Sequence, residues 1–179
     1  MRHGKPDIDR HLRLNAAEFG AWLDRYNAVG IDSGCQPPPS AIAQAKQCAY
    51  TVCSNHLRSL ESARALGIVH LGLSDSTFRE MDMPHASWPF PKLPVVAWSV
   101  FFRLAWVFGY SAGGESYRAA KARARACAEH LAALAAAHDS VIFVGHGLLN
   151  RFIAKHLKTM GWSCIGPASE KYWEFNSPS

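Results

Sequence analysis

Two histidines stand beside glycines near opposite ends of the chain, in Met1-Arg2-His3-Gly4 and in Val144-Gly145-His146-Gly147. Together with Arg58 and Glu80 these residues share one chemistry. A transferring phosphoryl group spreads negative charge over its equatorial oxygens, so it needs fixed cations and backbone N–H groups more than covalent help. The planar fork of arginine stays charged and grips phosphate oxygens in two places. A neutral imidazole can attack phosphorus and form a phosphohistidine that water later hydrolyses. A second imidazole, protonated, adds charge and donors. A carboxylic acid can protonate the leaving alcohol and then activate the water.

Each of these residues also has an ordinary role. His3 reads equally as a loose terminal residue, and Arg58 as a solvated arginine opening a helix. Glu80 reads as a surface carboxylate paired with Arg79. His146 ends an apolar strand with glycine on both sides, where the backbone comes close to something, or it is a histidine of the core.

The elements that would aim these side chains follow from the pattern between them. Asn15-Ala16-Ala17-Glu18 is a capping box, and the helix it opens runs to about Val29, burying Phe19, Trp22, Leu23 and Tyr26 before Gly30 stops it. Gln36-Pro37-Pro38-Pro39 is a stiff connector, with Ser40 capping a short helix through Ala45. Cys48 to Cys53 is an apolar, β-branched run of the kind that makes a buried strand. A helix from Arg58 to Leu66 and a strand-like stretch, Ile68 to Leu71, follow. Met83 to Pro94 holds four prolines and reads as a surface loop. Gly113 to Ala137 is the longest helix, with Ala120, Ala124, Cys127, Leu131 and Leu134 on one face. Val141 to Val144 is a buried strand, Leu148 to about Met160 a helix, and Tyr172 to Phe175 a last strand. Strands alternating with helices predict an α/β sandwich with a mostly parallel sheet covered on both faces. Active groups in such sheets gather at the carboxyl ends of strands, where Ser54 and His146 fall.

Composition narrows the function classes. A chain of 179 residues fits one domain over residues 1–179, and 49% hydrophobic against 18% charged residues is a globular balance. The formal charge of +5 suits an anionic substrate but is spread along the chain, so no basic arm points to nucleic acid. Five cysteines with no C-x-x-C pair suit reduced thiols in a cytoplasmic protein, neither a disulfide framework nor a zinc cluster. Met1 to Asp9 is polar and does not read as a signal peptide. Leu93 to Tyr110 approaches the length of a membrane span, but Arg103 lies inside it and Pro94 near its start. A buried or cleft-covering helix is the favoured reading, with Trp98, Phe102 and Trp106 stacked at i, i+4 spacing. Membrane contact through residues 93–110 is the lesser one.

The constellation resembles the histidine phosphatase superfamily, in its phosphoglycerate mutase-like branch. Arg2-His3-Gly4 resembles the nucleophile motif. Ser54-Asn55-His56-Leu57-Arg58, continued to Ser62-Ala63, is similar to the second motif, in which a phosphate-binding arginine comes four residues after a serine. Phe78-Arg79-Glu80 resembles the segment that carries the acid, Gly114-Glu115-Ser116 the tripeptide that opens a long helix, and Val144 to Gly147 the second-histidine motif. All five stand in the family's order, so the resemblance spans nearly the whole chain.

The resemblance implies His3 as nucleophile, Glu80 as proton donor, and Arg2, Arg58 and His146 as phosphate binders, with no metal and no cofactor. It implies a three-layer α/β/α sandwich and metal-independent hydrolysis of a small phosphorylated substrate, a phosphomonoester, through a phosphohistidine. The competing class is a phospho-ligand-binding protein of the same fold with little or no turnover. Two departures from the family pattern set further expectations. The Arg-His-Gly motif usually ends a central strand of several apolar residues, so the first central strand is expected to be truncated here and His3 poorly held. Lys5-Pro6-Asp7 replaces a Thr/Asn pattern, which bears on the substrate. The helix around Trp98, Phe102 and Trp106 is expected to line the leaving-group side of the pocket.

Overall fold

The computed structural model describes residues 1–112, 114–165, 171–175 and 177–178. In chain order its elements are β1 (Arg13–Leu14), α1 (Ala16–Ala28), α2 (Pro39–Ala45), β2 (Tyr50–Ser54), α3 (Leu57–Ala65) and β3 (Leu73–Asp75), followed by a 3-10 turn at Ser76–Phe78. Then come β4 (Leu93–Pro94), α4 (Val95–Val107), α5 (Tyr117–His138), β5 (Val141–Val144), α6 (Gly147–Thr159), β6 (Cys164–Ile165) and β7 (Ser177–Pro178). Gly113, where the long helix was expected to begin, lies outside the described residues.

The central sheet is parallel, in the order β3-β2-β5. Tyr50 to Cys53 pair with Val141 to Val144, and Val52 to Ser54 with Leu73 to Asp75. Successive side chains point to opposite faces. Val52, Tyr50, Val141 and Phe143 pack with α5 and α6, whereas Cys53, Ile142 and Val144 pack with α2 and α3. Both faces are therefore buried, which is why these strands read as continuous apolar runs. The fold is the expected three-layer α/β/α sandwich. α5 lies close to the sheet through small residues, Ala120, Ala124, Cys127 and Ala128. The Asn15–Glu18 capping box of α1 is present in both directions, each bond 2.8 Å.

Four expectations differ from what forms. Ile68 to Leu71 is not a strand, and Val69 is 84% exposed. The chain joins the sheet only from Gly72, whose N–H donates to Thr51 O and whose missing Cβ leaves room for the Tyr50 ring. Tyr172 to Phe175 is likewise not a strand, because Trp173 takes a left-handed φ of 66° that breaks the extension. It turns there and hydrogen-bonds to Arg2. Ser40 does not cap α2, which starts on Pro38 and Pro39 without a side-chain cap. The aromatic face of α4 does not line a pocket: Trp98, Phe102 and Trp106 are core residues at 2%, 0% and 1% exposure. Phe102 stacks with Phe19 of α1, the rings lying 5.8 Å apart and nearly parallel, and Trp98 lies tilted against Phe19 at 6.5 Å. Among the described residues no helix is long and apolar enough to cross a membrane.

The first central strand is represented by a single parallel bridge, Arg2 to Gly145. Beyond it the outer edge of β5 opens onto an apolar groove of about 520 Å³, lined on one side by Leu131, Ala135, Ile153 and Leu157 and on the other by Cys48 and Phe175. The Met1 amino group ends this groove, donating to Phe143 O at 2.6 Å. Burial pushes its pKa down from 8.0 to about 5.

Two stability outcomes follow. Phe102→Ala is expected to cost about 3–5 kcal/mol, the scale for removing a fully buried aromatic ring, read in urea unfolding. Four alternating apolar residues added ahead of Met1 are expected to turn the buried amine into a ladder amide and fill the groove. Each kcal/mol so gained raises the thermal midpoint by about 2–4 °C at this chain length, and an unchanged midpoint would contradict the account.

Candidate active site

His3 is held by hydrogen bonds, its own and its neighbours', to segments distant in sequence. Its N–H donates to Gly145 O, and Gly145 N–H donates to Met1 O, both at 3.0 Å. On the opposite edge Arg2 N–H donates to Glu174 O and Trp173 N–H donates to Arg2 O, each at 3.2 Å. The turn at Trp173 thus stands in for a neighbouring strand. Gly4 N–H donates to Ser62 Oγ at 2.8 Å, and Ser62 Oγ donates to Arg58 O at 2.5 Å. Gly4 must be glycine, since a Cβ there would overlap the Trp173 ring.

The His3 ring is 1% exposed, with Nδ1 2.6 Å from Gly4 O. A carbonyl oxygen only accepts, so Nδ1 carries the hydrogen and Nε2 keeps its lone pair. Burial above all, then the positive charge of Arg58, pushes the His3 pKa from 6.5 down to about 3. The ring is a neutral base at physiological pH.

The partner groups close around it. His146, at the carboxyl end of β5, is wholly buried, with its ring centre 5.0 Å from that of His3 and Nε2 2.6 Å from Ser54 Oγ. Burial first, then His3 and Arg58, holds it well below the usual histidine range. Arg58, in the first turn of α3, is also wholly buried. It donates to Tyr26 O at 2.8 Å and lies 4.7 Å over the Tyr26 ring. Arg2 lies 4.2 Å over the Tyr172 ring. Among the described residues, Nε and one terminal nitrogen of Arg58 and Nδ1 of His146 are buried without a hydrogen-bond partner. Buried polar atoms left unpaired cost about 1–3 kcal/mol each, so the unpaired Arg58 donors, whose charge acts on His3, favour an acceptor of negative charge.

Glu80 sits past the 3-10 turn and is not paired with Arg79, which instead donates to Asn55 at 2.5 Å. Its carboxylate accepts from Leu149 N at 2.9 Å, Met81 N at 3.0 Å and Leu148 N at 3.2 Å, at the amino end of α6. Its charge acts on Arg58. All five predicted residues, Arg2, His3, Arg58, Glu80 and His146, therefore belong to one neighbourhood, and none of them lines the groove beside β5. Among the described residues no group of three or more His, Cys, Asp or Glu side chains is arranged to hold a metal ion.

Four contributors were not legible beforehand. Tyr26 and Tyr172 are aromatic plates under the two guanidiniums, and at sequence level neither differs from an ordinary core or surface tyrosine. His56 places its ring 5.3 Å from His146. Ser59 ties Ser54 N, at 3.2 Å, to Val144 O, joining β2 to β5. Both lie inside the Ser54–Ala63 motif, and only that membership signalled them.

The model of the histidine phosphatase superfamily (branch 1) matches residues 40–166, more than half of the chain. The chain belongs to the histidine phosphatase superfamily. A mycobacterial glucosyl-3-phosphoglycerate phosphatase is 22% identical, with TM-score 0.54 over 87% of this chain and 76% of that one. The product of open reading frame Rv3214 from Mycobacterium tuberculosis is 14% identical, with TM-score 0.56 over 99% and 92%. Bacillus stearothermophilus YhfR is 17% identical, with TM-score 0.56 over 88% and 77%. At these identities the structures share the fold of this superfamily member. No curated protein sequence matches the chain.

The depressed histidines set a pH dependence. In the unfolded chain they titrate near 6.5, whereas in the fold His3 stays neutral to about 3 and His56 to about 4. Across that window the unfolded chain binds more protons, so stability is full above the unfolded value and is lost as pH falls toward the folded values. Inorganic phosphate is expected to offset the loss, because an anion favours protonated imidazole. Melting curves from about pH 8 to about pH 4, with and without phosphate, check this; a flat profile would contradict it.

Proposed function

We propose that the protein is a metal-independent phosphatase of a small phosphomonoester, working through a phosphohistidine on His3. The observation that carries this reading is a buried imidazole whose tautomer leaves Nε2 free, set beside buried, unpartnered donors of Arg58 and an unpartnered ring nitrogen of His146. That arrangement supports a nucleophile and an oxyanion cradle in one place.

His3 Nε2 attacks phosphorus, and the bond from phosphorus to the leaving oxygen breaks. Arg58, Arg2 and His146 hold the equatorial oxygens, His146 taking up a proton from solvent as the phosphate's negative charge arrives beside it. Glu80 in its acid form gives a proton to the leaving alcohol. As a carboxylate it then removes a proton from the water that attacks the phosphohistidine. The phosphorus–nitrogen bond breaks, inorganic phosphate leaves, and His3 returns to its neutral form.

One observation favours a second reading, a phospho-ligand-binding protein with little turnover. Both Glu80 oxygens are engaged by backbone N–H groups in the free protein, so the acid must leave α6 to reach a leaving group. The two readings part on p-nitrophenyl phosphate. The phosphatase reading expects release of p-nitrophenolate that survives EDTA. It expects His3→Ala to lower the rate on the order of 10³-fold or more, the scale of losing a nucleophile. It also expects a trapped phosphoenzyme that is labile to acid and stable to alkali. Phosphate-induced stabilisation without any turnover would leave the binder.

A further inference from the structure

The segment that carries Glu80 has almost no secondary structure of its own. The 3-10 turn ends at Phe78, and between Arg79 and Lys92 no helix or strand forms. Yet Glu80 has to meet a leaving group within hydrogen-bond distance, so its backbone must be fixed by something outside the ladders.

Two arginines from different helices supply that fixture. Arg123 of α5 donates to Thr77 O at 2.7 Å, Arg79 O at 2.9 Å and Glu80 O at 3.5 Å. Arg103 of α4 donates to Asp82 O at 2.8 Å and Met81 O at 3.3 Å. Between them they hold the carbonyls of five residues on either side of, and including, the acid. Each arginine is itself locked. Arg123 forks onto both Glu115 oxygens, at 2.5 Å and 3.0 Å, and Arg103 lies 4.7 Å over the Trp106 ring. Glu115 closes the loop, accepting from Asp82 N at 3.2 Å while its own N–H donates to Asp82 Oδ2 at 2.9 Å. The Arg123 nitrogens are engaged by these carbonyls and by Glu115, and its side chain is 21% exposed. Five guanidinium donors on neighbouring carbonyls fix a backbone path in a way that a lysine ammonium, a point charge, cannot.

We propose that Arg103 and Arg123 are positioning residues for Glu80, a two-arginine clamp that sets where the acid's backbone runs. The inference rests on the phosphatase reading above and adds to it the residues that place the proton.

A residue that places a general acid matters in proportion to how badly the leaving group needs a proton. The test measures kcat/KM on p-nitrophenyl phosphate, whose leaving group departs as an anion, and on an alkyl phosphate such as glycerol phosphate, whose leaving group does not. General acids contribute about 10²–10⁴-fold. Glu80→Gln is expected to lose about that on the alkyl ester and far less on the nitrophenyl ester. Arg123→Met is expected to lose about tenfold to hundredfold on the alkyl ester with little change on the other, and Arg123→Lys to recover little of it. Added to Glu80→Gln, Arg123→Met should cost nothing further, as expected of residues acting as one unit. If Arg123→Met does not fold, Arg103→Met and Glu115→Gln carry the same comparison. Equal losses on both esters from a folded Arg123 variant, or losses that multiply with Glu80→Gln, would overturn the clamp and leave Glu80 as the acid. A Glu80→Gln enzyme indifferent to the leaving group would remove both.

Discussion

Arg58 is buried to its last atom with no acidic side chain among the described residues paired to it, and the arrangement of the site follows from that. An isolated buried charge is expensive unless dipoles, rings or ligands replace its water. Here a carbonyl and a ring face of Tyr26 supply part of the replacement. The remainder falls on its neighbours. His3 and His146 cannot also be charged, and both are held neutral, by burial first and then by the cations around them. A neutral His3 keeps the lone pair on Nε2, so the same positive field that suits an anion leaves an unprotonated imidazole beside it. Had an aspartate sat beside Arg58, the field and the preference for an acceptor of negative charge would both be quenched.

Serine hydroxyls do the joining that charges cannot do in this setting. Ser54 reaches His146, Ser59 bridges β2 to β5, and Ser62 links the His3 loop to the helix that carries Arg58. A hydroxyl both donates and accepts, and it is small enough to sit between packed elements without opening a void. Three serines therefore couple the two histidines and the buried arginine to one another through neutral bonds, leaving the cations facing inward.

Much of this was readable in the residues because the local and global patterns agree. The capping box before α1, the apolar run of β5 and the alanine face of α5 are each set by neighbours in sequence, and each forms where expected. The five candidate site residues were grouped through motif order, which survives any distance in space, and the fold places them in one neighbourhood. What sequence could not give is contact between distant segments. Apolar Ile68 to Leu71 has strand composition, but the sheet accepts the chain only past Gly72, where the Tyr50 ring needs space. The aromatic spacing of α4 gives a helix face correctly and its partner wrongly: Phe19 of α1 lies across from it, not a substrate. Periodicity states which side is apolar and leaves open what covers it.

The support of His3 is the clearest case of a tertiary substitute. A full strand would hold His3 by repeated rungs on both edges. With one bridge to Gly145, the orientation depends instead on a turn 170 residues downstream, whose Trp173 and Glu174 bond both backbone groups of Arg2. The Trp173 indole also presses against Gly4 and donates to Cys35 O at 3.2 Å, so the ring anchors the turn while the backbone steers Arg2. Ladder pairing adds rungs one after another, whereas this tie closes a loop spanning nearly the entire chain, at a greater entropic cost of closure. The orientation of His3 is therefore a property of the completed fold, held by contacts between segments from both ends of the chain.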